Sequence, residues 1–242
     1  MHQFDSWEWL FMSLLDVAIH SLKSNNFVAV TGSSGSGKST LLKELLHHLR
    51  DNTNLSIAYL PQQPHLFKAS VRDNLSLFKE SDDNSLIEAL KKVALNLNLD
   101  DVPNGLSRGQ LQRLGLARVL LHSTFSSPDS ECQIPHFSAQ RFLIPNSSFL
   151  IPNYFTRPSP LASQALHSSF LSPFSNSEFR IPNSSLIILD EPTASLDVVT
   201  REIIINVIKQ LALNHKLIIA THDSELIATA KNVINIDLIT DR

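Results

Sequence analysis

Eight residues near the amino end, Gly32-Ser33-Ser34-Gly35-Ser36-Gly37-Lys38-Ser39, place a glycine, four further residues and then Gly-Lys-Ser. That spacing suits a polyphosphate. The glycines let backbone N–H groups curl round the α and β phosphates, and the helix that follows presents its positive end. Lys38 can then reach the β and γ oxygens while Ser39 offers a hydroxyl to Mg2+. A flexible Gly/Ser linker is the bland alternative. It does not fit the apolar run Phe27-Val28-Ala29-Val30 before the loop or the leucine-rich helical pattern after it.

A second candidate is Asp190-Glu191, which ends the apolar run Leu186 to Leu189. A carboxylate at the carboxyl end of a buried strand can hold Mg2+ at the phosphates through its water shell, the role expected of Asp190. A neighbouring one can polarise the water that attacks the γ phosphate, the role expected of Glu191. An acidic pair alone is more often a helix-entry turn, and the phosphate loop is what tips the reading toward catalysis. His222 follows another apolar run, Leu217 to Ala220, and can donate a hydrogen bond near the γ phosphate. His47-His48, with no Cys or further His at ligand spacing, reads as solvated.

These groups need a scaffold that brings them together. Phe27 to Val30, Leu55 to Leu60, Ser185 to Leu189 and Lys216 to Ala220 read as buried strands. Ser39 to Arg50, Leu111 to His122 and Arg201 to Leu213 read as helices, and residues 71 to 97 as irregular helical pieces split by the charged stretch Glu80 to Asp83. The opening is mixed, its most apolar stretch, Trp9 to Leu22, being broken by Asp16 and His20. Strands alternating with helices predict an α/β fold with a mainly parallel sheet, a P-loop nucleotide-binding architecture with a small helical subdomain. The six glycines, at 32, 35, 37, 105, 109 and 115, fall in two short stretches, which marks both as places needing backbone freedom or close approach.

Between Ser123 and Ser184 the composition changes. These 62 residues hold 15 Ser, 8 of the 12 Pro and 8 of the 13 Phe, with no Gly and no Lys. Variants of one short word recur in Ile144-Pro145-Asn146, Ile151-Pro152-Asn153 and Ile181-Pro182-Asn183. The expectation is a low-complexity, poorly ordered insertion between a first domain part, 1–122, and a second, 185–242. It enters at the amino end of the strand carrying Asp190, away from a nucleotide held at the carboxyl ends. Lengthening a loop from about 5 to about 65 residues costs about 2 kcal/mol, which a folded domain tolerates. A tolerated repetitive insertion and a docking segment using its Phe residues both remain open.

Leu106-Ser107-Arg108-Gly109-Gln110, heading a helix, resembles the signature motif of ATP-binding cassette ATPases, and further motifs follow that family's order. Gln62 resembles the Q-loop glutamine, Ser195-Leu196-Asp197 the D-loop, and Thr221-His222-Asp223 the switch histidine. The resemblance, to an exporter-like nucleotide-binding domain, covers nearly the whole chain outside the insertion. It implies that ATP and Mg2+ are bound by residues 32 to 40, Thr40 included, with Gln62 joining Ser39 and Asp190 around the metal and joining Glu191 and His222 in catalysis. It implies that Ser107, Gly109 and Gln110 cover a nucleotide held by a second ATPase subunit in a head-to-tail dimer. Trp9 or Phe11 is expected to stack on adenine. Arg108 stands where the family most often has glycine, the opening matches poorly, and the stretch from Gln62 to Ser107 is short for the family.

A net charge of −3 supplies no global field for nucleic acid or an anionic membrane, so no nucleic-acid partner is expected. The lone Cys132 and the lack of a leader-like start point to a reducing interior, and no run approaches the about 20 apolar residues of a membrane span. The resulting expectation is an ATPase subunit, peripheral on the cytoplasmic face, that powers a transmembrane permease domain on a separate chain. Residues Gln62 to Leu75 look exporter-like. A soluble cassette ATPase, or a degenerate cassette that binds without hydrolysing, remains the alternative.

Overall fold

The computed structural model describes residues 6–53, 55–124 and 186–237, with side chains from residue 13 onward except those of 52, 123 and 124. All of these lie in one compact unit. The predicted insertion, 123–184, falls almost wholly outside the described residues.

In chain order the elements are α1 (Ser6–Ser24), β1 (Phe27–Thr31), α2 (Lys38–Asn52), β2 (Ile57–Leu60), α3 (Val71–Ser76), α4 (Asp83–Lys92) and α5 (Arg108–Thr124). They are followed by β3 (Leu186–Asp190), α6 (Val198–Asn214), β4 (Lys216–Ala220), α7 (Ser224–Thr229) and β5 (Asn232–Asn235). The strands form one parallel sheet in the order β2-β3-β4-β1-β5. Residues 28–30 and 186–189, along with 217–220, are fully buried, as continuous apolar runs in a parallel sheet require.

The opening is helical, not mixed. Leu14, Leu15, Ala18 and Leu22 are buried at helical spacing, while Asp16 and His20, which interrupt the apolar run in sequence, lie on the exposed face. Lys216 Nζ donates to the carbonyls of Leu22 and Lys23, placing a cation at the carbonyl end of α1. Helix α6 starts three residues before the expected Arg201, because Asp197 caps it by accepting the Thr200 N–H at 3.0 Å. The expected helical stretch to residue 97 ends earlier, at Lys92. Strand β5 and helix α7 escaped the sequence reading: Asn232 and Asn235 mask a short edge strand, and α7 is only six residues.

Helices α3, α4 and α5 extend the core, their Val71, Leu75, Leu86, Leu90, Val93 and Leu114 joining sheet residues such as Leu60 and Ile187 in one apolar cluster. Each such leucine contributes about 1.5–3 kcal/mol by leaving water. The charged stretch between α3 and α4 has a structural use, since Arg72 pairs with both Asp83 and Asp100. Buried Asn74 donates from Nδ2 to the Phe67, Ala69 and Ser70 carbonyls and accepts from Arg118 at 2.9 Å. Arg118 also donates to the His65 carbonyl at 2.6 Å, and burial pushes its guanidinium down to about 10. The segment after β2 is thereby tied to α5. No helix among the described residues is long and apolar enough to cross a membrane.

Candidate functional site

Parallel pairing aligns the carboxyl ends of three neighbouring strands. Val30 and Asp190 both stand opposite Ala220, so the loops that begin at Gly32, Glu191 and Thr221 emerge from one edge of the sheet. The amino end of β3, where the chain returns from the undescribed segment, lies at the opposite edge.

The loop after β1 takes the backbone shape its glycines allow. Gly35 and Gly37 have φ of 83° and 98°, and a Cβ on Gly32 would stand 2.7 Å from Ser36 Oγ. Gly37 leads directly into α2, whose first residue is the 8%-exposed Lys38. Its ammonium curls back to donate to the Gly32 and Ser33 carbonyls, each at 2.8 Å. A buried cation satisfied by two neutral carbonyls is poised to exchange them for anionic oxygens. Ser34 and Thr40 are exposed, and Ser39 half-buried. Asp237, which the sequence reading did not single out, anchors this loop by accepting from Ser33 N at 2.6 Å and Ser33 Oγ at 3.0 Å. Nothing in its local sequence marks it; β5 delivers it.

Asp190 is 1% exposed, and its Oδ1 has no hydrogen-bond partner. Burial raises its carboxyl above the ordinary range; the Ser39 hydroxyl, Lys43, the Gln62 backbone N–H and Lys38 pull the other way. An orphaned, buried carboxylate oxygen beside a serine hydroxyl fits a hard divalent cation that keeps several waters. Among the described residues there is no cluster of three or more metal-ligating side chains that would make an all-protein cage. Tyr59 feels the same carboxylate: burial and the Asp190 charge push its phenol up to about 12.

Glu191 lies beside it, with His222 Nε2 3.4 Å from Glu191 Oε1. Burial raises the Glu191 carboxyl too; His222 and Lys38 counter this, and Asp190 adds to it. The Glu191 backbone has φ of 49°, a left-handed conformation uncommon for a side-chain-bearing residue, and its N–H donates to the Ala220 carbonyl at 2.9 Å.

Helix α5 begins at the surface. Ser107 N–H donates to Gln110 Oε1 at 2.9 Å and Gln110 N–H to Ser107 Oγ at 3.2 Å, a reciprocal capping box. Within one chain Gln110 therefore fixes the helix start that presents Ser107. Gly109 is buried, and a Cβ there would meet the Ser195 carbonyl at 2.7 Å, so the close approach it permits is to the 195–197 loop. Gly115 similarly admits Leu60 and Pro64. Gln62 is exposed on the loop after β2. Trp9 and Phe11 are on α1, but their side chains are outside those described. His47 is exposed as expected, whereas His48 is half-buried.

The raised Asp190 pKa has a stability consequence. A carboxyl more basic in the folded than in the unfolded chain contributes stability at pH below its ordinary value and loses it as pH rises toward the raised one. Asp190→Asn is therefore expected to raise the Tm of the nucleotide-free protein at pH 7, while abolishing the further gain expected of Mg-ATP in the parent chain. Thermal melts with and without Mg-ATP check both parts.

Comparison with known proteins agrees with this architecture. The family model described as ABC transporter matches residues 15–124. ABC transporter C family member 13 of Arabidopsis thaliana is 36% identical over 115 residues, covering 41% of this chain and 8% of that protein. The glutathione/L-cysteine transport system ATP-binding/permease protein CydC of Escherichia coli is 35% identical over 129 residues, covering 42% of this chain and 22% of its own length. The match thus spans a quarter or less of such relatives. Among solved structures, a dimeric ATP-binding cassette in a post-hydrolysis state bound to ADP and Pi superposes with a TM-score of 0.54 at 20% identity, over 87% of this chain and 80% of that one. The fold is that of a P-loop ATP-binding cassette. The family match, which takes in the phosphate loop and the signature helix, makes residues 15–124 similar to the ABC transporter family over a little less than half of the chain.

Proposed function

We propose that this chain binds and hydrolyses Mg-ATP as the motor of a membrane transporter, two cassettes closing head to tail over two nucleotides. The observation that carries the reading is the convergence of Lys38, Asp190, Glu191 and His222 on one sheet edge, with His222 3.4 Å from the Glu191 carboxylate. Lys38 leaves the Gly32 and Ser33 carbonyls for the β and γ oxygens, and residues 33–40 turn their N–H groups to the phosphates. Ser39, Gln62 and the water shell of Asp190 would hold Mg2+, which would supply neutralisation of the charge on the phosphates. Glu191 accepts the proton of the attacking water, and His222 orients that carboxylate and donates to the γ phosphate. Ser107, presented by its capping box, reaches the nucleotide of the opposite copy, and Trp9 or Phe11 faces adenine.

Relatives named as ATP-binding/permease proteins support a permease partner, and we place it on a separate chain, with the cassette at the cytoplasmic membrane face. The purified chain should release phosphate from Mg-ATP and stop when the metal is chelated. A chain that binds no nucleotide at millimolar Mg-ATP contradicts the proposal. Residues 1–122 and 185–242 are taken as two parts of one domain, so deleting 123–184 with a short linker should leave the rate unchanged or higher. A complete loss, in a protein that still binds ATP, would give the intervening segment a part in catalysis.

A further inference from the structure

Outside the residues assigned so far, one buried polar side chain bears directly on the reacting groups. Gln112, one turn into α5, is 2% exposed, and its Nε2 donates to the carbonyls of both Asp190, at 3.3 Å, and Glu191, at 3.2 Å. Those carbonyls belong to the two peptide planes that flank the Glu191 Cα. Gathering both on one amide nitrogen restrains the two rotations, φ and ψ, that set where the Glu191 side chain leaves the backbone.

That restraint is needed here, because φ of 49° at Glu191 is disfavoured for an L-residue bearing a side chain. Two local contacts help: Glu191 N–H donates to Ala220, and its carbonyl accepts from Ala194 N–H at 3.2 Å. Each of these holds one of the two planes. Among the described residues Gln112 gathers both planes on a single amide nitrogen, and it does so from the helix whose start carries Ser107, with Gly109 packed against the Ser195 loop a turn away. We infer that Gln112 is a positioning residue, which holds the Glu191 backbone in its left-handed turn so that the carboxylate meets His222 and the attacking water. The inference rests on the proposed role of Glu191 as base.

The test uses the full chain with Gln112→Met, which keeps the volume and removes the donors, and Gln112→Glu, which keeps the shape and sets an acceptor against two carbonyls. For each, kcat is expected to fall about 10- to 100-fold while ATP affinity, read with a fluorescent analogue, changes less than about threefold. In a Glu191→Gln background the same changes should alter the residual rate less than about twofold, since no base remains to be positioned. A kcat within twofold of the parent in either variant, a parallel loss of affinity, or an equal fall in the Glu191→Gln background overturns the inference. An inactive parent chain that still binds ATP would instead refute the catalytic reading of the site, and the positioning role with it.

Discussion

Glu191→Gln is expected to lower the Mg-ATP hydrolysis rate about 10²- to 10³-fold while leaving ATP affinity within about twofold. The magnitude follows from removing a positioned base, which contributes about 10²–10⁴ in rate. Charge removal also relieves repulsion between Asp190 and Glu191, both raised above their ordinary range by burial, so nucleotide binding should not suffer. Phosphate release under steady-state conditions, beside equilibrium binding of a fluorescent ATP analogue, separates the two quantities. The parent chain should carry an acid limb in kcat, because protonated Glu191 cannot accept a proton. Its midpoint should lie above the ordinary glutamate value, in the direction burial shifts the group. The limb should vanish in Glu191→Gln. Equal rates for parent and variant at neutral pH would remove Glu191 from the mechanism.

Lys38→Ala is expected to cost affinity first. Its ammonium makes two charge-assisted hydrogen bonds in the nucleotide-free chain and is proposed to make equivalent ones to phosphate oxygens in the complex. At about 1.5–3 kcal/mol for a bond to a charged group, losing two weakens ATP binding about 10²-fold or more. Lys38→Arg should recover little, since a planar guanidinium does not fit a buried slot closed by the Gly32 and Ser33 carbonyls. Titration calorimetry reads the change, and circular dichroism checks that the fold survives. Undiminished affinity would mean that nucleotide does not sit in the 32–39 loop.

The strands that lead toward Lys38 and His222, and the one that ends in Asp190, were legible because burial on both faces writes uninterrupted apolar runs. The loop ends were legible because their chemistry uses few residue types. Helix α1 was obscured by Asp16 and His20, which are harmless on a solvent face but break a linear reading. Strand β5 was hidden by its asparagines, and with it the anchoring of Ser33 by Asp237, a contact spanning two hundred residues of chain. Gln112 was similarly silent: a glutamine within a helix announces nothing until the carbonyls it meets, from 78 and 79 residues away, are known. Gly109 was recognised as a place of close approach, yet its neighbour within the chain is the Ser195 carbonyl. Such long-range pairings depend on the order in which strands assemble, which periodicity does not encode.

The proposed sharing of a triphosphate between two copies can be probed by cross-linking. With Cys132, the only cysteine, changed to serine in the Glu191→Gln chain, Ser34→Cys and Ser107→Cys place thiols on two exposed positions, one in the phosphate loop and one at the start of α5. Mixing the two single-cysteine chains and oxidising mildly should yield a disulfide-linked dimer that depends on ATP and disappears with ADP or with an added Lys38→Ala change. A product that forms equally well without nucleotide, or chains that stay monomeric at saturating ATP, would contradict a site shared between two copies.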